Sequence, residues 1–175
     1  MKKRATMQNV MEDWAAAVAF AEQGDFTSAL LLAEGVQELA ERGSKKFIVI
    51  SPNLVLPEGV ARHVIDLAER LGRDVFLATC LRGLSGSQGR APSRARLKRE
   101  IADSAAFYSG FKSALAAKRL QCARLASLEG AKHIMDMLSM GMRGIEFAIV
   151  HGDKKIFLGQ RTALTVFCIE DPKAG

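Results

Sequence analysis

The chain has 175 residues, 49% hydrophobic and 25% charged, with a formal net charge of +6. That length suits one domain with a small appendage and a substantial core, and the composition is that of a soluble globular protein, not a fibrous or low-complexity one. No run approaches the roughly 18 apolar residues of a membrane span, so no membrane role is expected.

Met1-Lys2-Lys3-Arg4 ahead of the short apolar run Ala15–Ala21 faintly imitates a leader. Glu12 and Asp13 break the approach and the helical period continues past it, so no signal peptide is expected. Cys80, Cys122 and Cys168 are widely spaced and form no C-x-x-C pair. They read as reduced, buried thiols of a cytoplasmic protein. The positive charge is local: residues 75–99 contain no acid but hold Arg82, Arg90, Arg94, Arg96, Lys98 and Arg99.

Residues 7–43 read as a helical hairpin. Val10, Met11, Trp14, Val18 and Ala21 recur at helical spacing, and Gly24 stops the first helix. Asp25 suits the N-cap of the second, with Phe26, Ala29, Leu30, Ala33, Val36 and Ala40 on one face and Gly43 closing it. The hairpin, residues 1–44, is expected to pack on its own domain or a partner subunit. A groove for a protein partner is the less favoured use, because one such unit cannot bury both faces.

The α/β domain, residues 45–175, follows. Phe47 to Ile50 is apolar on both faces, as in a parallel strand covered by helices on both sides. Pro57 and Glu58 suit a helix start, Val60, Val64, Leu67, Ala68 and Leu71 form its stripe, and Gly72 ends it. Asp74 to Thr79 is a second strand, and the length of the intervening helix requires a parallel return. Cys80 to Ser93, rich in Gly, Ser and Arg, reads as a mobile loop. The next helix keeps its period from Leu97 to Leu115, but the cations at its start oppose the dipole, so a firm start is expected near Asp103. Leu120 to Ala126 is a third strand interrupted by Gln121 and Arg124; Gly130 opens a helix to Met140; Ile145 to Val150 is a fourth strand; Ala163 to Ile169 is the last. The order predicts a doubly wound, mostly parallel five-stranded sheet behind the helical hairpin.

In such sheets ligands bind at the carboxyl ends of the strands. Ser51, Pro52, Asn53, Thr79, His151 and Gly152 fall there, and are the candidate walls of an adenine or small-ligand pocket. The competing reading of Ser51-Pro52-Asn53 is a turn in which Asn53 bonds its own backbone. Arg82, Arg90, Arg94 and Lys154 are candidate anion contacts at the same edge, with a solvated loop as the plainer alternative. The loop lacks interleaved aromatics, so nucleic acid is not expected. His151-Gly152-Asp153 has no nucleophile or metal partner beside it in sequence, and no enzyme, catalytic residue or metal site is expected.

Lys-Phe-Ile-Val-Ile-Ser-Pro-Asn (46–53), the helix and strand of 61–77, Leu-Glu-Gly-Ala-Lys-His-Ile-Met-Asp-Met-Leu (128–138) and Ile-Glu-Phe-Ala-Ile-Val-His-Gly (145–152) together resemble the universal stress protein family over about residues 45–170. The resemblance implies an adenine-nucleotide alpha hydrolase-like sheet, a regulatory role in stress and a homodimer through the last strand, where Leu164, Val166, Phe167 and Cys168 stand. Two departures matter. Nucleotide-binding members carry an Asp where the first strand ends, and Ser51-Pro52-Asn53 stands here. They also carry G-x2-G-x9-G-[S/T] after the fourth strand; Gly152 matches its first glycine, but Lys155 takes the second place and Gly159 is followed by Gln160. The expected nucleotide site is degenerate, so no cofactor is assigned. The alternative is ATP or another adenine ligand held by the basic loop.

Overall fold

The structure, a computed structural model, describes residues 30–81, 94–128, 130–152 and 164–169. Within them the chain runs β1 (Leu30–Glu34), α1 (Val36–Glu41), β2 (Lys46–Ser51), α2 (Glu58–Leu71), β3 (Asp74–Cys80), α3 (Arg94–Asp103), α4 (Ala105–Ala117), β4 (Cys122–Ser127), α5 (Ala131–Gly141), β5 (Ile145–His151) and β6 (Thr165–Ile169). One sheet has the order β1-β4-β3-β2-β5-β6. Its last five members are mutually parallel, and β1 pairs antiparallel with β4.

The continuous apolar runs become fully buried central strands, β2 and β3, because helices cover both faces. Alternation then sorts side chains by face. Phe47, Val49, Val75, Leu77, Cys122 and Ile149 meet Val60, Val64 and Ala68 of α2 and Tyr108, Phe111 and Leu115 of α4. Ile48, Ile50, Phe76, Ala78, Leu125 and Val150 meet Leu39 of α1 and Ile134, Met135 and Leu138 of α5. The doubly wound α/β arrangement expected from element order is therefore present.

Three expectations need correction. The sheet has six strands among the described residues, not five. The sixth, β1, lies where the second hairpin helix was expected. Gly35 separates it from α1 in the left-handed region (φ 71), and a Cβ there would stand 3.1 Å from the Cys122 carbonyl oxygen, so a helix cannot run through. The rest of the expected hairpin, residues 7–29, lies outside the described residues. Finally, the helix after the loop does not wait for Asp103. α3 starts at Arg94, with Leu97 buried against Leu81 and Ala126 and an Arg96–Glu100 pair at 2.8 Å one turn along. The break falls at Ser104, whose hydroxyl donates to the Ile101 carbonyl at 2.7 Å.

At the amino ends of the strands two buried charges close the sheet. Lys46, 0% exposed, donates from Nζ to the carbonyls of Ser44 (2.6 Å) and Arg143 (2.9 Å). Asp74, 2% exposed, accepts from the Gln121 amide at 2.8 Å and from the Ser44 hydroxyl, with Arg42 at 3.6 Å. Burial lowers the Lys46 pKa below its usual value, and Asp74 works against that shift.

Candidate functional site

From β2 the order runs outward through β3 and β4 on one side and through β5 and β6 on the other, so the point of reversal lies between β2 and β5. A crevice outside the carboxyl ends at that point is where open α/β sheets take ligands. The register makes a row there. Ser51 pairs with Thr79, Thr79 with Ala126, and Ser51 stands one residue beyond the Ile50–Val150 pair, level with His151. Since strand parity is shared, Ser51, Thr79 and His151 point to the α2/α4 face, one step past the apolar layer of Val49, Leu77 and Ile149.

Ser51 and His151 are both 3% exposed, and Ser51 Oγ lies 3.4 Å from His151 Nδ1. Ser51 Oγ also accepts the Asn53 amide at 3.1 Å. The turn is thus fastened by the serine hydroxyl, not by the Asn53 side chain bonding its own backbone. His151, expected to have no nucleophile beside it, thus has the Ser51 hydroxyl within 3.4 Å of its ring. Gly152, at φ 117, faces Pro52, whose ring carbons stand 3.7 Å from where a Cβ would be, and its amide donates to the Ile169 carbonyl at 3.3 Å. Pro52 thus packs beside Gly152 at the β2/β5 junction, and the amide ties β5 to β6.

Beside the junction, on the β4 side, a small cleft open to solvent lies between the sheet and α4. Ser51, Asn53 and Thr79 form polar wall; Val49, Leu56, Leu77 and Phe107 form apolar wall; Tyr108 and Arg124 complete it. Arg124 is the charged group of this lining. Its side chain is 12% exposed, its Nε donates to Glu34 at 2.9 Å, and Nη1 donates to Ser104 Oγ at 3.2 Å. The guanidinium lies 4.3 Å above the Tyr108 ring, a cation–π contact. The Tyr108 hydroxyl donates to the Cys122 carbonyl at 3.1 Å. Burial first, then the Cys122 and Glu34 charges, raise the Tyr108 pKa despite Arg124, so the ring stays a neutral donor at ordinary pH.

Of the residues expected at the site, Ser51, Asn53 and Thr79 converge on the cleft, while Pro52, His151 and Gly152 lie at the adjoining junction. Arg82, Arg90 and Lys154 lie outside the described residues; Arg94 is the first residue of α3, and its side chain is not described. Leu164, just before β6, and Val166 and Cys168 within it are half-buried, and Phe167 is 54% exposed on this strand, the last on its side of the sheet among the described residues, edge-on to Phe147 at 5.6 Å. The sequence reading missed Phe107, Tyr108, Arg124 and Glu34. The available signal was an arginine at an inward position of a parallel strand, which burial tolerates only with partners. No group of three or more potential metal ligands occurs among the described residues. No described helix is long and apolar enough to cross a membrane.

No family model matches the sequence, and no curated protein matches it. Among solved structures, a universal stress protein from Archaeoglobus fulgidus is similar at 16% identity, over 74% of this chain and 98% of that one, with a TM-score of 0.45.

Proposed function

We propose that this chain is a universal-stress-protein-like regulatory domain of the cytoplasm that binds a small ligand without transforming it, and whose nucleotide site has degenerated. The observation behind this reading is the make-up of the carboxyl edge. Where the resembled family has an acid at the end of its first strand, a neutral Ser51 turns onto Asn53 and His151. Among the described residues the cleft lining holds one cation, Arg124, shared with Glu34 and Ser104, a single charge where a polyphosphate would need several. The sequence after Gly152 lacks the second glycine and the Gly-[Ser/Thr] pair that would present backbone amides to phosphates. What remains is a narrow, mostly apolar cleft with a neutral polar rim, the make-up of a small-molecule site.

Calorimetry with ATP and Mg²⁺ tests the loss of nucleotide binding. The expected result is no binding with a Kd below about 1 mM, equivalent to about −4 kcal/mol. A micromolar Kd that disappears in Asn53→Ala overturns the degenerate-site reading.

The same proposal includes a homodimer through β6. Among the described residues β6 is the last strand on its side of the sheet, and it carries Phe167 exposed, a surface that folded proteins pair or cover. Light scattering behind size exclusion is expected to give twice the chain mass, and Phe167→Asp is expected to shift it to one. A wild-type monomer at micromolar concentration removes the dimer from the account.

A further inference from the structure

We propose that the cleft takes a small amphipathic carboxylate, with Arg124 receiving its carboxyl group and Glu34 acting as a built-in competitor for that arginine. The inference rests on the reading that the cleft is a ligand site and names the chemistry it selects. Arg124 is fixed for carboxylate recognition before any ligand arrives. Tyr108 supports the guanidinium from below at 4.3 Å and Ser104 holds Nη1 at 3.2 Å, so the planar fork has little freedom left to lose on binding. The group now answering that fork is itself a carboxylate. Glu34 comes from β1, directly across from Arg124 in the antiparallel register, and is 46% exposed.

An ion pair with one partner this open to water is weak, on the order of 0–1 kcal/mol. A ligand carboxylate that also buries an apolar body gains more than it displaces. Val49, Leu56, Leu77 and Phe107 supply the surface for that body. Ser51 and Thr79 stand on β2 and β3, two strands and one strand from β4, so the span from Arg124 to the polar rim is roughly 5–10 Å by strand spacing. That span fits a carboxylate separated from a second polar group by one aromatic ring or a short chain. A nucleoside triphosphate is too large and too highly charged for this combination.

The probes are 4-hydroxyphenylacetate and its neutral amide, 4-hydroxyphenylacetamide, titrated into the full chain and followed by backbone amide shifts. The carboxylate is expected to bind about tenfold more tightly than the amide, the worth of one charge-assisted pair. Its shifts should centre on Ser51, Thr79, Tyr108 and Arg124. Glu34→Gln, an exposed substitution that leaves the fold intact, should raise affinity for the carboxylate about threefold and leave the amide unchanged. Arg124→Gln should erase the difference between the two probes. Equal affinities in the wild-type chain, or a Glu34→Gln chain with unaltered carboxylate affinity, overturn the carboxylate assignment while leaving the cleft a ligand site. Shifts from neither probe overturn both.

Discussion

The two ends of the parallel strands solve the same problem in opposite ways. At the amino ends the chain buries a lysine and an aspartate and satisfies them with the Ser44 and Arg143 carbonyls, the Gln121 amide and the Ser44 hydroxyl. At the carboxyl ends it places short neutral groups, Ser51 and Thr79, above an apolar layer and leaves a cleft beside them. Charges that are fully answered from within lock an end shut, because any loosening would leave a buried ion without a partner. Neutral hydroxyls cost little to uncover, so that end can exchange internal contacts for those of a ligand. The contrast puts the stabilising closure at one edge and the proposed binding at the other.

Breaking the closed end should have the largest effect. Asp74→Ala removes the acceptor of the Gln121 amide and the negative neighbour of buried Lys46, and is expected to destabilise the protein by about 3 kcal/mol. Thermal unfolding should show this as a Tm lower by roughly 6–12 °C. Gly144→Ala is expected to be comparably damaging. At φ 81 a side chain is strained, and its Cβ would stand 2.5 Å from the Ser44 carbonyl oxygen, part of the same closure. At the open end, Ser51→Ala should cost only about 1 kcal/mol, the loss of one hydrogen bond to the Asn53 amide. Equal losses at the two ends would remove the distinction.

Thiol chemistry sharpens the comparison without mutation. Burial pushes Cys80 and Cys122 up to about 12 from 9.0, whereas Cys168 is only half-buried on β6. In the native protein a disulfide reagent at pH 8 is expected to modify Cys168 well before the other two. The sign of the linkage follows: the folded chain keeps two protons that the unfolded chain releases near 9.0, so both thiols contribute to a fall in stability as pH rises above that value. The smallest effect is at the surface. Hydrogen bonds from Arg73 and Lys45 hold the Glu146 carboxyl below 4.5, so its contribution is present above pH 4.5 and is lost as pH falls through the lowered pKa. Glu146→Gln should slightly flatten the acid limb of a stability–pH curve, and that limb should also weaken in high salt.

Much of this fold is legible in the sequence because buried parallel strands advertise themselves. Phe47 to Ile50 and Asp74 to Thr79, separated by an amphipathic helix ending at Gly72, admit little but a βαβ unit. β1 was not legible for the converse reason. Leu30-Leu31-Leu32-Ala33 satisfies a helical stripe and an apolar strand equally, and period alone cannot separate them. The deciding residue is Gly35, whose left-handed conformation and contact with Cys122 depend on a neighbouring strand far along the chain. The site divides in the same manner. Ser51, Asn53 and Thr79 are found by their place at strand ends, a rule of topology. Arg124 sits inside β4 and reads in isolation as a defect in a strand. Its partners Glu34, Ser104 and Tyr108 come from β1, the break between α3 and α4, and α4, and only tertiary structure unites them.

Backbone amide shift mapping during titration with ATP and Mg²⁺ tests the central claim most directly, that the carboxyl edge is a binding edge without a nucleotide cradle. The account predicts no saturable shifts at Asn53, Thr79, His151 and Gly152 up to millimolar nucleotide. Saturation in the micromolar range with shifts centred on those residues would contradict it.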